Sequence, residues 1–338
     1  MKDTWTAQKI VRLSGMYWVG FALHSAVELD LFTTLESLGG TAEVDALAEA
    51  LACDRRALGM LATTLSGMGL LSRDGGTVTL SAEAARFLSR RSDEYVGYLV
   101  RHLADAVDNW TGLTEAIRTG RRVNSSYASH TDDPEEREAF LLGMHNNAAP
   151  QARTVAEALD LEGRRRLMDL GGGPGTYAIT FCQTNPDLDA LIFDLPTTEP
   201  FATGLVREAG LAERIGFQGG DFFEDTLPGG CDVIWISQVL HCEPPGRVRY
   251  LVRKAAEALE PGGMLCVQEF ALDNRHTGKP LHPAVFALNM LVGTEGGQSY
   301  TDDEIRAFFH DAGLQNVRAL DLTLPQGCRV YIGDKPAS

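Results

Sequence analysis

Long apolar runs are missing from this 338-residue chain. Residues 16–32 are the most apolar part of the N-terminal region, but His24, Glu28 and Asp30 interrupt them well short of the roughly 20 residues a membrane span needs. That stretch also lacks a signal-peptide pattern. Paired cysteines are missing too. Cys53, Cys182, Cys231, Cys242, Cys266 and Cys328 never form Cys-x-x-Cys, which leaves neither a zinc knuckle nor a disulfide framework. A reduced, cytoplasmic protein is the expectation. A cationic surplus is absent as well. Thirty Lys and Arg stand against 46 Asp and Glu, a net charge of −16, which argues against nucleic-acid backbones and anionic membranes as partners. The sequence shows no internal repeat, no low-complexity tract and no carboxylate cluster that demands a metal. What remains is ordinary globular composition, 44% hydrophobic and 22% charged, at about two domains' length.

The first hundred residues read as short helices and tight turns. Apolar residues recur at helical spacing from Tyr17 to Leu38. Thr41 stands as an N-cap before an acidic first turn. Arg55 to Met68 forms a further helix, and residues 70–80 a hairpin turning at Asp74-Gly75-Gly76. Helix, helix, hairpin is a winged-helix pattern. After more helix and a polar loop (residues 124–129), Asp133 caps a long helix opened by Pro134, Glu135 and Glu136. Pro150 is expected to bend or end it. From Arg166 the chain alternates. Strands are expected at 166–170, 189–194, 214–219, 231–238, 263–270, 315–320 and 328–333, with helices between most of them. Such alternation implies a doubly wound parallel sheet. The last two strands, joined by a short connection, suit an antiparallel edge pair. Thr301-Asp-Asp-Glu304 is a capping box. We divide the chain into a helical domain, 1–150, and an α/β domain, 151–338.

Four features carry chemistry. Four glycines in five residues, Gly171-Gly-Gly-Pro-Gly175, follow a short strand with one acid, Asp169. Such a turn lets backbone N–H groups approach a nucleotide-like ligand, and it also fits the dinucleotide frame. Asp194 ends the next strand, where a carboxylate can accept both ribose hydroxyls. Gly219-Gly-Asp221-Phe222 offers an acid and an aromatic ring for adenine. His241 follows a buried strand at the carboxyl edge, and Glu269 reaches that edge from the strand after it. Imidazole and carboxylate there can act as a base and its orienter.

With these pieces placed, the chain resembles the class I S-adenosylmethionine-dependent small-molecule O-methyltransferases, the group that includes caffeate-type and antibiotic-tailoring enzymes. The carriers are Asp169-Leu-Gly-Gly-Gly-Pro-Gly, Phe193-Asp-Leu-Pro, Gly-Gly-Asp221-Phe-Phe, Val239-Leu-His241 and Gly296-Gly-Gln-Ser-Tyr-Thr-Asp-Asp-Glu304. Ala26-Val-Glu-Leu-Asp-Leu-Phe and Gly69-Leu-Leu match the family's dimerisation domain. The resemblance implies a Rossmann-like seven-stranded methyltransferase sheet, preceded by a mostly helical winged-helix dimerisation domain, and a homodimer formed through that domain. It implies S-adenosyl-L-methionine as cofactor. Asp169, Gly171 and Gly173 would hold its methionine part. Asp194 and Leu195 would take the ribose, Asp221 and Phe222 the adenine, with Ser237 and Gln238 nearby. His241 would be the general base and Glu269 its partner. Phe140, Met144, Asn147, Met290 and Thr294 would line the pocket of a small-molecule methyl acceptor, a flat aromatic by their character.

The sequence departs from the family at Cys242, where an aspartate is usual, and at Ser299, where a second glutamate often brackets the histidine. Both changes bear on the strength of the base. They leave room for N-methylation, or for decarboxylation or hydroxylation with the cofactor as a bystander. A ligand-sensing winged-helix regulator is a reading of another class. Against it, residues 1–100 hold nine Lys and Arg and twelve Asp and Glu, which is no cationic module.

Overall fold

The computed structural model describes residues 4–123 and 133–337. The polar tract 124–129, expected as a loop, lies outside the described residues. The chain divides into two compact units, Met1–Asp105 and Ala106–Ser338.

The first unit opens with α1 (Ala7–Ser14), whose Thr6 side chain caps Lys9 N–H. Nothing in α1 is buried. Helices α2 (Tyr17–Glu28) and α3 (Leu31–Ser37) follow. The helical spacing from Tyr17 to Leu38 is therefore carried by two helices. They part at Asp30, which has a left-handed backbone (φ 53°) and accepts a hydrogen bond from Thr33 Oγ1 at 2.6 Å.

Thr41 proves to be strand rather than N-cap. It begins β1 (Thr41–Glu43), and α4 (Val44–Ala50) starts three residues later. Backbone pairing outweighs the cap here. β1 lies against β3 (Thr77–Leu80) with Ala42 opposite Val78, and Thr41 Oγ1 donates to Thr79 Oγ1 at 3.0 Å. Asp54 caps α5 (Arg55–Gly67) through Ala57 N–H. β2 (Leu71–Asp74) pairs with β3 across the expected turn. α6 (Ala82–Leu88) and α7 (Gly97–Asp105) complete the unit. Its core is Leu31, Phe32, Leu35, Leu47, Leu65 and Val78 with their neighbours.

The second unit begins with α8 (Val107–Thr111) and α9 (Leu113–Thr119). Then comes α10 (Pro134–Ala158), capped by the Asp133 carboxylate on Glu135 and Glu136 N–H. This helix does not stop at Pro150. A proline inside a helix costs about 3 kcal/mol, through the lost N–H and the ring clash. The turns beyond it bury Gln151, Ala152, Val155 and Ala156, and one buried valine returns roughly 1.5–3 kcal/mol. Packing therefore carries the helix through.

The sheet contains β4 (Arg166–Leu170), β5 (Asp189–Asp194), β6 (Ile215–Gly219), β7 (Cys231–Ser237), β8 (Leu259–Leu272), β10 (Gln315–Ala319) and β11 (Cys328–Asp334). Their order is β10-β11-β8-β7-β4-β5-β6, and β9 (Tyr300–Thr301) pairs with β8 off this path, which makes eight strands. From β8 to β6 the neighbours are parallel. β11 pairs antiparallel with β8 and β10, the expected edge pair. This is the expected Rossmann-like mixed sheet, with one short strand that the sequence did not announce.

One face of the sheet is covered by α10, α11 (Thr176–Thr184) and α12 (Glu199–Glu208). The other is covered by α13 (Pro245–Ala258) and α15 (Asp302–Asp311). The capping box at Thr301 and Glu304 is formed. α14 (Leu281–Gly293) is fixed to α8 by Trp110 Nε1 donating to Asn289 Oδ1 at 2.8 Å. β4 has β5 on one side and β7 on the other, so the winding direction reverses there. Ligands of open α/β sheets bind at the carboxyl ends of strands at this switch point.

Pro150 is exposed, so Pro150→Ala restores an intrahelical bond without a packing penalty. It is expected to stabilise the second unit by about 1–3 kcal/mol and to raise its thermal midpoint by several degrees. Scanning calorimetry of the full chain checks this.

Candidate active site

The glycine turn sits at the switch point. Gly171 and Gly173 hold φ of 69° and 52°, where a side chain is strained. A Cβ on Gly171 would stand 2.8 Å from Val239 Cγ2 and 3.5 Å from the Phe222 ring, whereas one on Gly173 would meet nothing within 4 Å. The turn is therefore packed on its protein side and open where a ligand would approach. Beneath it lies Asp169, 1% exposed, whose Oδ2 accepts from Ala178 N at 3.2 Å. Burial pushes this carboxyl up to about 7, opposed by the Ala178 N–H and reinforced by the charge of Asp194.

Asp194 ends β5 and reaches back to the turn. Its Oδ2 accepts from Gly173 N at 2.7 Å, and its Oδ1 from Leu195 N at 2.6 Å and Thr198 Oγ1 at 3.1 Å. Beyond β6, Asp221 Oδ1 accepts from Phe223 N at 2.8 Å, and Phe222 leans over Gly171. Ser237 ends β7, and Gln238 follows it. Gln238 is left-handed (φ 59°) and turns its amide away, Nε2 lying 3.1 Å from Cys328 Sγ.

Two residues past Val239, His241 sits in a short 3₁₀ turn, Leu240–Cys242. Its Nδ1 lies 2.7 Å from Glu269 Oε1, and its backbone N donates to Glu269 Oε2 at 3.2 Å. His241 is 4% exposed and Glu269 fully buried. A carboxylate only accepts, so Nδ1 carries the proton and Nε2 is the nitrogen left for chemistry. Burial opposes the imidazolium, but the Glu269 carboxylate and the adjoining Cys242 thiol outweigh it. His241 is held well above the ordinary histidine value. Ser299 does not take part, because its hydroxyl donates to Pro283 O at 2.7 Å.

Of the residues expected to line an acceptor pocket, Phe140, Met144 and Asn147 are half-buried along one face of α10. Met290 and Thr294 are buried at the end of α14. The Thr294 hydroxyl is committed locally, donating to Met290 O and accepting from Gly297 N. Sequence reasoning missed the rings around His241. Phe286 lies 4.8 Å from its centroid, edge on, and Phe270 lies 6.1 Å away, stacked. His282 packs on Phe270 at 4.9 Å. The signal was available, since His282, Phe286 and Met290 recur every fourth residue along α14.

The comparisons with known proteins agree with this geometry. Residues 101–315 match the family model described as the O-methyltransferase domain, and residues 11–90 the O-methyltransferase dimerisation domain. The chain belongs to the S-adenosylmethionine-dependent O-methyltransferases. It is 32% identical to 3-hydroxy-5-methyl-1-naphthoate 3-O-methyltransferase of Streptomyces sahachiroi, over 94% of this chain and 92% of that one. It is 34% identical to the tetracenomycin polyketide synthesis 8-O-methyl transferase of Streptomyces glaucescens, over 97% and 96%. Among solved structures, that of PigF with SAH superposes with a TM-score of 0.89 at 26% identity, over 98% of this chain and all of that one.

S-adenosylmethionine fits the residues present. It needs close backbone approach, a carboxylate at ribose distance and an aromatic cover, and the edge offers the open side of Gly173, Asp194 and Phe222.

Asp169 supplies a pH test. Its native pKa lies above the unfolded value near 3.9, so the native state keeps a proton that the unfolded chain has lost. Stability therefore falls as pH rises from roughly 4 to about 7. Thermal melts of the ligand-free protein should show Asp169→Asn gaining on the wild type through this window and levelling off above it. A constant offset would contradict the assignment.

Proposed function

We propose that this enzyme methylates a hydroxyl group of an aromatic small molecule, with His241 accepting the hydroxyl proton. The observation that carries the proposal is the buried His241–Glu269 pair at the sheet's carboxyl edge, two residues from the Val239 side chain that walls the glycine turn.

Bound S-adenosylmethionine supplies an electrophilic methyl group and a positive charge. The glycine turn at Gly171 and Gly173, open at Gly173, would hold it in place with Asp194, Asp221 and Phe222. Asp169 would act through the loop it supports. The residues Phe140, Met144 and Met290 give the acceptor an apolar berth, and Phe286 stands edge on to the base. Both named relatives carry aromatic or polyketide acceptors in their names, which supports an acceptor of that class here.

His241 must arrive neutral at Nε2 to take a proton. An ordinary imidazole near 6.5 is a poor match for a phenol near 10. The Glu269 carboxylate narrows that gap by raising His241. The cost is that His241 is largely protonated at neutral pH, so turnover climbs on the alkaline side. A positive charge brought into the site works against the imidazolium and returns part of the population to the neutral form. General-base help is worth about 10²–10⁴-fold, and holding acceptor and methyl in line contributes as much again.

The exposed apolar residues near the N-terminus, Trp5, Val11 and Trp18 at 65%, 72% and 69% exposure, together with the dimerisation-domain match, support a homodimer formed there. Six free cysteines support a reducing, cytoplasmic setting.

At its optimum pH, His241→Ala should lose about 10²-fold or more in kcat/KM for the acceptor; a loss within threefold refutes the role. Glu269→Gln keeps the burial and removes the carboxylate. The rising limb of its pH–rate profile should therefore move to lower pH, with a lower plateau. An unmoved limb would mean that Glu269 does not set the basicity of His241.

A further inference from the structure

The loop after β6 is held by α13, a helix that no step above uses. Residues 221–225 close into a single α-turn. Glu224 N and Asp225 N donate to Asp221 O at 3.1 and 2.7 Å, while Asp221 N donates to Asp225 Oδ2 at 2.8 Å. Asp221 Oδ1 is taken by Phe223 N, which leaves Oδ2 for a ligand. The later carbonyls of such a turn have no partner within it. Lys254 of α13 takes two of them. Its Nζ donates to Phe222 O at 2.8 Å and to Asp225 O at 2.5 Å.

Lys254 belongs to a stripe. Arg247, Tyr250 and Lys254 recur three and four residues apart and share one face of α13. Val248, Leu251, Val252 and Ala255 bury another face against the sheet. The Phe223 ring lies 4.8 Å from Phe222, edge on, and 6.3 Å from Tyr250, stacked. The Arg247 guanidinium sits 3.6 Å over Phe223, and its Nε pairs with Glu243. Arg249 and Arg253 pair with Asp311 and Glu257 at the surface. Lys254 instead bonds main-chain oxygens alone among the described residues. Hydrogen bonds from a charged donor are the stronger kind. The loop also carries three carboxylates, Asp221, Glu224 and Asp225, whose mutual repulsion an ammonium beside them offsets.

We propose that Lys254 is the positioning residue of the adenine loop. By capping the turn it fixes where Asp221 Oδ2 and the Phe222 ring stand, and so sets how sharply the enzyme tells adenine from another purine. A carboxylate accepts from the 6-amino group of adenine. Hypoxanthine carries an oxygen there, which a correctly placed Asp221 repels. The proposal rests on the reading of Asp221 and Phe222 as the adenine residues, and separate variants test the two.

Binding of S-adenosylhomocysteine and of its hypoxanthine analogue, S-inosylhomocysteine, can be compared by calorimetry. The wild type is expected to prefer the adenine compound about tenfold or more. Lys254→Met and Lys254→Gln both remove the ammonium, and in each the preference should fall to within about threefold. In the ligand-free variants the amides of Phe223 and Asp225 should exchange faster than in the wild type. Lys254→Arg restores charge and donors and should recover most of the preference, which a general packing loss would not allow. A preference that survives in both neutral variants overturns the proposal. So does a loss in Lys254→Arg as large as in Lys254→Met. Asp221→Asn tests the reading beneath it. If that variant keeps the wild-type preference, Asp221 does not read adenine, whatever the Lys254 variants do. Equal affinity of the wild type for both compounds counts against the reading and the proposal alike.

Discussion

A carboxylate without solvent exposure stays charged only if its partners replace water, and Glu269 has three of them. The His241 imidazole and the Phe270 backbone N–H both bond Oε1, at 2.7 and 2.8 Å, and the His241 backbone N–H bonds Oε2 at 3.2 Å. The pair is costly to bury and more costly to break. It fixes the turn after β7 to the end of β8, orients the ring and sets its tautomer. Gln298 N donates to the His241 carbonyl at 2.8 Å, so the residue is clamped from both sides. His241 is thus held by the same two strands that build the centre of the sheet.

Around that pair the edge divides its labour by strand. The ends of β4, β5 and β6 carry what a nucleoside-bearing cofactor needs: a tight backbone, one carboxylate tied to that backbone and an aromatic cover. In the proposed mechanism the ends of β7 and β8 carry the proton chemistry, and α10 and α14 bring the apolar residues proposed for the acceptor side. The departures from the family pattern fall within this scheme. Cys242 still touches His241 and helps raise it, while Ser299 has left the site to bond Pro283. A single buried carboxylate, aided by a thiol, thus suffices to hold the imidazole above its ordinary basicity.

Much of this was legible in the sequence where the signal is local. The glycines at 171–175 and the acids at the ends of β5 and β6 are fixed in place by backbone geometry within a few residues. The caps at Asp133 and Thr301 are likewise short-range. The misreadings come from long-range competition. Thr41 looks like a cap until its pairing with Thr79, 38 residues away, is known. Pro150 looks like a helix end until the burial of Val155 is weighed against it. The rings of Phe270 and Phe286 gather around His241 from separate elements that only the tertiary fold brings together. No window of the sequence contains them.

The central claim is that Glu269 keeps His241 protonated in the resting enzyme and thereby makes it basic enough for a phenol. Nitrogen-15 NMR of the His241 imidazole, followed in the ligand-free protein from pH 6 to pH 10, tests it most directly. Both ring nitrogens should carry protons at pH 7.5, with a titration midpoint well above the reference value near 6.5. A neutral ring at pH 7.5, or a midpoint at or below that reference, would contradict the account.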